Sequence, residues 1–157
     1  MFFSILIPHK YTVSNTMVLV LVVGDLHIPH RAAGIPEAFR KMFIPGRIGA
    51  VLITGNVCNQ ETYEYFKSFT PNVHVARGEY DEWAKDMPET VTTEIEDLKF
   101  GIIHGHQVVP WGDKDSLAMM QRKLDVDVLI SGNTHSSKTF EFDGRLFVNP
   151  GSITGAY

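Results

Sequence analysis

The hydrophobic residues of the chain are gathered in short, unbroken runs that are rich in β-branched side chains. The clearest run extends from Met17 to Val23, and a run of this kind predicts a central strand that is buried on both faces. Four more runs have the same character and predict four more buried strands. These runs are residues 50–53, 73–76, 100–103 and 126–130.

Three helical segments are predicted between these runs, and the second and third have the apolar spacing of amphipathic helices. The first, Pro36 to Met42, begins with a proline, which is favoured in the first turn of a helix. The second covers residues 61–69, and the third follows a capping residue at Asp113. Strands that alternate with helices predict an α/β domain. The apolar faces consist of Tyr63, Phe66 and Phe69 in the second helix and Leu117, Met120 and Leu124 in the third.

The last quarter of the chain has a different pattern, in which strand-like segments flank a tight turn. Residues 139–142 and 145–148 lie on either side of Asp143-Gly144, a two-residue sequence that strongly favours a β-hairpin. A second hairpin is predicted across Glu96-Asp97. The α/β domain is therefore expected to contain antiparallel strand pairs as well as strand–helix–strand connections.

The composition fits one domain, with 157 residues, a formal net charge of −4 and one cysteine. Because Cys58 is alone, no intramolecular disulfide can form, which suits a reducing compartment. The chain has no basic block, which argues against nucleic acid as a partner, and no apolar run approaches the ~20 residues of a membrane span. Residues 1–16 carry no recognisable chemistry, and we expect them to be a disordered extension ahead of a domain over residues 17–157.

Polar residues collect directly after the apolar strands. Ligands of α/β sheets bind at the carboxyl ends of the strands, so we expect five loops to bring their side chains to one rim. Carboxylates, imidazoles and amides are ligands that divalent transition metals accept, and the rim is a candidate metal site. The clusters are Gly24-Asp25-Leu26-His27, Thr54-Gly55-Asn56, Arg77-Gly78-Glu79-Tyr80-Asp81, His104-Gly105-His106 and Gly132-Asn133-Thr134-His135.

Each cluster taken alone has an ordinary structural explanation. An isolated Asp-x-His after a strand is usually turn chemistry, and a single histidine such as His104 or His106 is more often a satisfied structural residue. Glu79 and Asp81 alone would belong to a solvated loop. The order of all five clusters, each at a strand end, is what indicates a shared site.

That order closely resembles the metallophosphoesterase family over residues 17–157. The family pattern runs Asp-x-His, Gly-Asp, Gly-Asn-His-Asp/Glu, His and Gly-His-x-His. The resemblance implies a β-sandwich flanked by helices, in four α/β/β/α layers. It also implies two metal ions bridged by the carboxylate of the second motif, and a third-motif histidine that protonates the leaving group.

Three positions depart from this enzyme pattern. Asn56 stands where the bridging aspartate belongs, and a neutral amide cannot neutralise two cations held about 3.5–4 Å apart. Tyr80 stands in place of the catalytic histidine, and a phenol is a poor group for proton transfer near neutral pH. Asn133 replaces another metal-binding histidine. We therefore predict that the protein is not an enzyme; the alternative is a metal-dependent phosphodiesterase or phosphatase.

The remaining ligands favour one metal position over the other. Asp25, His27 and His135 can hold one divalent ion, with Asn56 as a weak fourth ligand. The second position keeps one carboxylate and one imidazole and adds only amides. Two alternatives stay open, namely one weakly bound Zn²⁺ or Mn²⁺ ion, or a hydrogen-bonded rim without metal. The candidate ligands are Asp25, His27, Asn56, Glu79, His104, Asn133 and His135.

Longer strings of the chain resemble a non-catalytic branch of the family, the small subunits of retromer, which recycles cargo from endosomes. The resemblance implies a scaffold or docking subunit that binds the large α-solenoid subunit, vacuolar protein sorting 35, and the other retromer subunits indirectly. It implies a role in endosome-to-Golgi and recycling transport, in the cytoplasm, with peripheral and indirect association with endosome membranes. The strings are residues 24–31, 104–113, 149–152 and 154–157.

The same resemblance implies two surfaces for protein partners. Val108, Val109 and Trp111 would contact the α-solenoid. Leu19 and Met42 would belong to a second surface, which binds Pro-Leu loops of regulators. Family members continue beyond the Asn-Pro-Gly-Ser motif with strands that complete the second sheet, so we expect these C-terminal strands to be missing here and the Pro-Leu surface to be incomplete.

Overall fold

The computed structural model describes residues 3–7 and 18–156, in which two β-sheets carry helices on their outer faces. The strands of the first sheet are β1 Phe3–Ile7, β2 Val18–Val23, β3 Ile48–Ile53 and β4 Val73–Val75. They lie side by side in chain order. Strand β1 is antiparallel to β2, whereas β2, β3 and β4 run parallel. The carboxyl ends of three strands therefore meet at one edge of this sheet.

The second sheet mixes parallel and antiparallel pairs. Its strands are β5 Thr90–Ile95, β6 Leu98–Ile103, β7 Val128–Ser131, β8 Lys138–Phe142 and β9 Arg145–Asn149. They are arranged in the order β5-β6-β7-β9-β8. Strands β6, β7 and β9 are parallel, and the two outer strands are antiparallel to their neighbours. The parallel trio again brings several strand ends to one edge.

In the described part of the chain, three helices and a short 3₁₀ turn connect the strands. The helices are α1 Glu37–Arg40, α2 Gln60–Lys67 and α3 Lys114–Leu124, and the turn is Glu82–Ala84. Asp113 caps α3 as predicted, because its side chain accepts a hydrogen bond from the Ser116 N–H at 2.9 Å. Among residues 3–7 and 18–156, no helix is long and apolar enough to cross a membrane.

The core is divided into layers by the alternation of side chains along the strands. In β2, Val20 and Val22 lie in the core between the two sheets, whereas Leu21 and Val23 lie in the core beneath α2. Helix α3 covers the outer face of the second sheet, where Leu117 is buried. The stacking order is helix, sheet, sheet, helix, which confirms the predicted four-layer α/β/β/α fold.

The structure differs from the sequence prediction at the amino terminus. The run predicted from Met17 is the strand Val18–Val23, and Met17 lies outside the described residues. Phe3–Ile7 forms β1 within the segment that we expected to be disordered. The physical reason is that a short apolar run can hydrogen-bond to the free edge of β2, in register from Phe3–Val22 to Ile7–Val18. The other residues of 1–16 lie outside the described ones.

The predicted hairpins are present. Asp143 and Gly144 have φ values of 51° and 68°, the two positive values that a type I′ turn requires. They join the antiparallel strands β8 and β9. Strands β5 and β6 form the second hairpin across Glu96-Asp97. Local turn chemistry therefore sets the register of both antiparallel pairs.

Candidate metal pocket and neighbouring surface

The predicted ligands lie at the carboxyl ends of β2, β3, β4, β6 and β7, the rim where the parallel strands end. Five of them have a left-handed backbone, which is uncommon for residues other than glycine. Such a backbone costs about 1–3 kcal/mol per residue and clusters at functional sites. The strained main chain therefore marks this rim independently of its side chains. The five residues are Asp25, His27, Asn56, Asn133 and His135, with φ between 48° and 69°.

The first predicted metal position is assembled in the structure. Asp25, His27 and His135 each offer a ligand atom, and these atoms lie within 4.8 Å of one another. The Nδ1–H of His135 donates a hydrogen bond to the carbonyl of Ala156, so its Nε2 presents a lone pair. That Nε2 lies 3.3 Å from His27 Nε2 and 3.7 Å from Asp25 Oδ1. One carboxylate and two imidazoles are a suitable ligand set for Zn²⁺.

The carboxylate of Asp25 is fully buried and only half satisfied. Its Oδ2 accepts a hydrogen bond from the Asn133 N–H at 2.9 Å, whereas Oδ1 has no hydrogen-bond partner within the described chain. Burial raises the pKa of this carboxyl group, although the nearby His104 and His135 act in the opposite direction. An unpaired buried carboxylate oxygen is costly, and a cation removes that cost. The pocket therefore fits a metal ion at this point.

The protonation of the pocket also suits metal binding by imidazole rather than by thiolate. Burial and the charge of Arg31 lower the pKa of His27 to about 4, so its ring is neutral at neutral pH. Burial and the charge of Asp81 raise the pKa of Cys58 to about 12, so its thiol stays protonated. Cys58 Sγ lies 4.0 Å from His27 Nδ1. It therefore neighbours a ligand and is not itself a thiolate ligand.

Asn56 presents a hydrogen-bond donor at the place where the enzymes have a bridging carboxylate. Its Nδ2 lies 3.0 Å from His104 Nε2 and 3.4 Å from His27 Nε2. The Nδ1–H of His104 donates a hydrogen bond to the Thr54 carbonyl oxygen at 2.9 Å. The Nε2 of His104 is therefore an acceptor for the amide of Asn56. The Asn56 Oδ1 accepts from the Tyr80 N–H at 3.0 Å. The amide thus occupies lone pairs that a metal ion would otherwise use.

Replacing Asn56 by aspartate is expected to tighten Zn²⁺ binding at least about tenfold. The carboxylate keeps the acceptor for the Tyr80 N–H and turns a competing donor into an anionic ligand. A charge pair at 4 Å is worth about 4 kcal/mol at an effective dielectric constant of 20, and repulsion from Asp25 removes part of that gain. Isothermal titration with Zn²⁺ measures the change, with Asn72→Asp, at an exposed amide, as the control. An unchanged dissociation constant would contradict this account.

The second predicted position contains a ligand that the sequence prediction omitted. Glu79, His104 and His106 offer ligand atoms that lie within 4.8 Å of one another. Asn133, which was predicted here, is half-buried, and its Nδ2 has no hydrogen-bond partner in the part of the chain that is described. The only sequence indication for His106 was its place two residues after His104.

Asp81 anchors the loops that carry the ligands, a role that the sequence prediction also missed. Its carboxylate is buried and accepts four hydrogen bonds. Oδ2 accepts from the N–H groups of Asn56 and Gly78, both at 2.8 Å, and Oδ1 accepts from the Cys58 N–H at 2.8 Å and the Trp83 ring N–H at 3.2 Å. A Cβ at Gly78 would lie 2.2 Å from Asn56 Oδ1, so the two loops can meet only with glycine there.

Tyr80 covers the pocket where the enzyme pattern has its catalytic imidazole. The ring is half-exposed and meets His27 edge to face, with ring centroids 5.4 Å apart. The guanidinium carbon of Arg31 lies 5.1 Å from the centre of the same ring. Tyr80 therefore packs between a pocket histidine and a surface cation, which is a structural arrangement for an aromatic side chain.

The residues predicted to contact partners separate into exposed and buried ones. Val109 and Trp111 are 76% and 63% exposed, and Met42 is also exposed. Val108 is only 4% exposed and packs in the core beneath α3, so we remove it from the predicted contact residues. The reason is that the loop turns here, with the Val108 N–H bonded to the Gly105 carbonyl, so that Val108 faces the core and Val109 faces solvent. Leu19 is half-buried against the core beneath α2.

Comparison with known proteins agrees with this geometry. The family model of the calcineurin-like phosphoesterase superfamily domain matches residues 18–157. Vacuolar protein sorting-associated protein 29 of Schizosaccharomyces pombe is 40% identical over 138 residues, which are 88% of this chain and 73% of that protein.

Two solved structures are similar over most of the chain. Vacuolar Protein Sorting 29 from Cryptosporidium parvum has a TM-score of 0.85 and 43% identity, covering 89% of this chain and 77% of that one. Wild-type Vps29 complexed with Zn²⁺ from Entamoeba histolytica has a TM-score of 0.81 and 51% identity, covering 88% of this chain and 76% of that one. The similarity therefore includes a protein whose structure contains zinc.

Proposed function

The chain belongs to the Vps29 branch of the calcineurin-like phosphoesterase superfamily, and from this we propose that it is a non-catalytic docking subunit of retromer. Its partner is the large α-solenoid subunit, vacuolar protein sorting 35, and it meets the other retromer subunits indirectly. Its place is the cytoplasm, peripheral on endosome membranes through the complex. Its process is endosome-to-Golgi and recycling transport.

The observation that carries this proposal is the pair of exposed apolar side chains beside the pocket. Val109 and Trp111 are the two most exposed large side chains of the loop that follows His104. Exposed apolar side chains on one loop are typical of protein interfaces, and tryptophan is enriched among the residues that dominate binding energy. The net charge of −4 and the lack of a basic block do not suit a nucleic-acid partner.

The pocket geometry supports a non-catalytic role. Asn56 donates a hydrogen bond to His104, where hydrolysis by two metals needs a bridging carboxylate. Tyr80 packs on His27 and Arg31, where the leaving group needs a proton donor. The bridging carboxylate and the proton donor are therefore both missing from the pocket. The family fold alone does not confer hydrolysis.

We propose that a divalent ion, when present, is held by Asp25, His27 and His135. The orphaned Asp25 Oδ1 and the lone pair of His135 Nε2 are the features that fit it. Bound there, Zn²⁺ or Mn²⁺ would supply positive charge that compensates the buried carboxylate. The chain's own residues orient the ligands, with Ala156 fixing His135 and Asn133 fixing Asp25.

Binding of the purified protein to the purified α-solenoid subunit tests the docking proposal. Isothermal titration should give a one-to-one complex that persists when metal is removed by a chelator, because Asn56 satisfies pocket lone pairs without an ion. Lack of any complex at micromolar concentrations would overturn the proposal. A complex that chelator abolishes would show instead that metal completes the docking surface.

Hydrolysis of phosphodiesters is expected to be absent. Proton transfer by a positioned group is worth roughly 10²–10⁴ in rate, and Tyr80 stands where that group belongs; the bridging carboxylate is also replaced by Asn56. Turnover of bis(p-nitrophenyl) phosphate with saturating Mn²⁺ should equal that of Mn²⁺ alone. Asp25→Ala serves as the control for contaminating enzymes. Manganese-dependent turnover that disappears in Asp25→Ala would show that the pocket is catalytic.

A further inference from the structure

The loop that carries the docking residues also carries an unused imidazole. His106 lies three residues before Val109, and its ring centroid is 5.3 Å from that of His104. Its Nδ1 is buried and has no hydrogen-bond partner in the described structure. Buried polar atoms are normally paired, so an unpaired ring nitrogen at a pocket rim indicates a ligand.

The loop of His106 packs closely against the loop that carries Asn133. A Cβ on Gly105 would lie 3.0 Å from the Gly132 carbonyl oxygen and 3.6 Å from Asn133 Cβ. The loop of His106 therefore lies directly against residue 133, where the family pattern has a histidine and this chain has an asparagine. At residue 133 this chain offers an amide, a weaker metal ligand than imidazole, and its Nδ2 is buried without a partner in the described structure.

We propose that His106 supplies this imidazole, completing a second and weaker Zn²⁺ position with Glu79 and His104. The three ligand atoms lie within 4.8 Å of one another, and one carboxylate with two imidazoles is a zinc-binding set. To bind the ion, His104 Nε2 must give up its hydrogen bond from the Asn56 amide. This loss makes the position weaker than the one at Asp25. The proposal is independent of docking to the solenoid.

Zinc titration of the whole chain tests this assignment. The wild type should bind two equivalents, and Asp25→Asn should remove the tighter one. His106→Ala should weaken the other by about 100-fold or more, since even groups outside the ligand sphere are worth 10–100-fold. His30→Ala is the matched control, because His30 is an exposed histidine away from both groups and should leave both equivalents unchanged. Cobalt(II) absorption provides a readout of imidazole ligation.

Restoring the family's histidine at residue 133 shows whether His106 acts as a metal ligand or only as a structural residue. The double variant Asn133→His with His106→Ala should recover the second equivalent if His106 acts as a ligand. His106→Gln replaces His106→Ala if circular dichroism shows that the alanine variant is misfolded. Two equivalents with unchanged affinity in a folded His106 variant would overturn the proposal. The proposal would also be overturned if the wild type bound only one zinc equivalent, or if the double variant did not recover the second one.

Discussion

Replacing Val109 by aspartate is expected to weaken binding to the α-solenoid subunit about 100-fold or more and to leave the fold intact. Val109 is 76% exposed in the free protein, so a carboxylate there remains hydrated. In the complex, the lost burial of valine costs about 1.5–3 kcal/mol, and a desolvated charge without a partner adds more. Each 1.4 kcal/mol is a factor of ten in affinity. Isothermal titration measures the loss.

Two variants make this result interpretable. Met119→Asp introduces the same charge at another exposed apolar side chain, 65% exposed on α3, and should bind the solenoid normally. Val108→Asp places the charge in the core beneath α3 and should unfold the protein, which circular dichroism will detect. A folded Val109→Asp protein with normal affinity would remove this loop from the interface and weaken the docking proposal.

Replacing Asp81 by alanine is expected to lower the free energy of unfolding by about 3–5 kcal/mol. The substitution leaves four donors without their acceptor, and three of them belong to the buried residues Asn56, Cys58 and Gly78. Hydrogen bonds to charged groups contribute about 1.5–3 kcal/mol each, and water entering the cavity recovers part of the total. Domains of this size are stable by only about 5–15 kcal/mol, so the effect is large. Urea unfolding followed by circular dichroism measures it.

Two further substitutions test whether the effect comes from the hydrogen bonds. Asp81→Asn keeps one acceptor oxygen and should fall between the wild type and the alanine variant. Asp86→Ala removes an exposed carboxylate nearby and should change the stability by less than about 0.5 kcal/mol. A loss below about 1 kcal/mol in Asp81→Ala would show that the ligand loops are held by other contacts.

Much of the fold follows from local sequence patterns. The β-branched runs that end at Val23 and Ile53 become central parallel strands, because only strands buried on both faces accept such sequences. Asp143-Gly144 sets a hairpin because both residues tolerate positive φ. The ligand clusters lie at one rim because parallel strands end together, which is a property of the topology.

Other features depend on loop conformation, which the sequence does not encode locally. Val108 and Val109 are chemically identical neighbours, and only the path of the loop decides which is buried. Taken alone, Asp81 had the sequence pattern of a solvated loop residue, because two of its four donors, Asn56 and Cys58, lie more than twenty residues away in the chain. The direction in which the Asn56 amide points is set by Tyr80, which is distant in sequence.

The left-handed backbone of the pocket has a consequence for protein design. The main chain at five rim positions has a costly left-handed conformation, and two of these positions, Asn56 and Asn133, carry side chains that depart from the enzyme pattern. Asn56→Asp and Asn133→His would therefore place enzyme-like ligands on a backbone that already has this conformation, and Tyr80→His would add an imidazole from the neighbouring loop. The chain is therefore a starting point for designing a phosphodiester-hydrolysing pocket one side chain at a time.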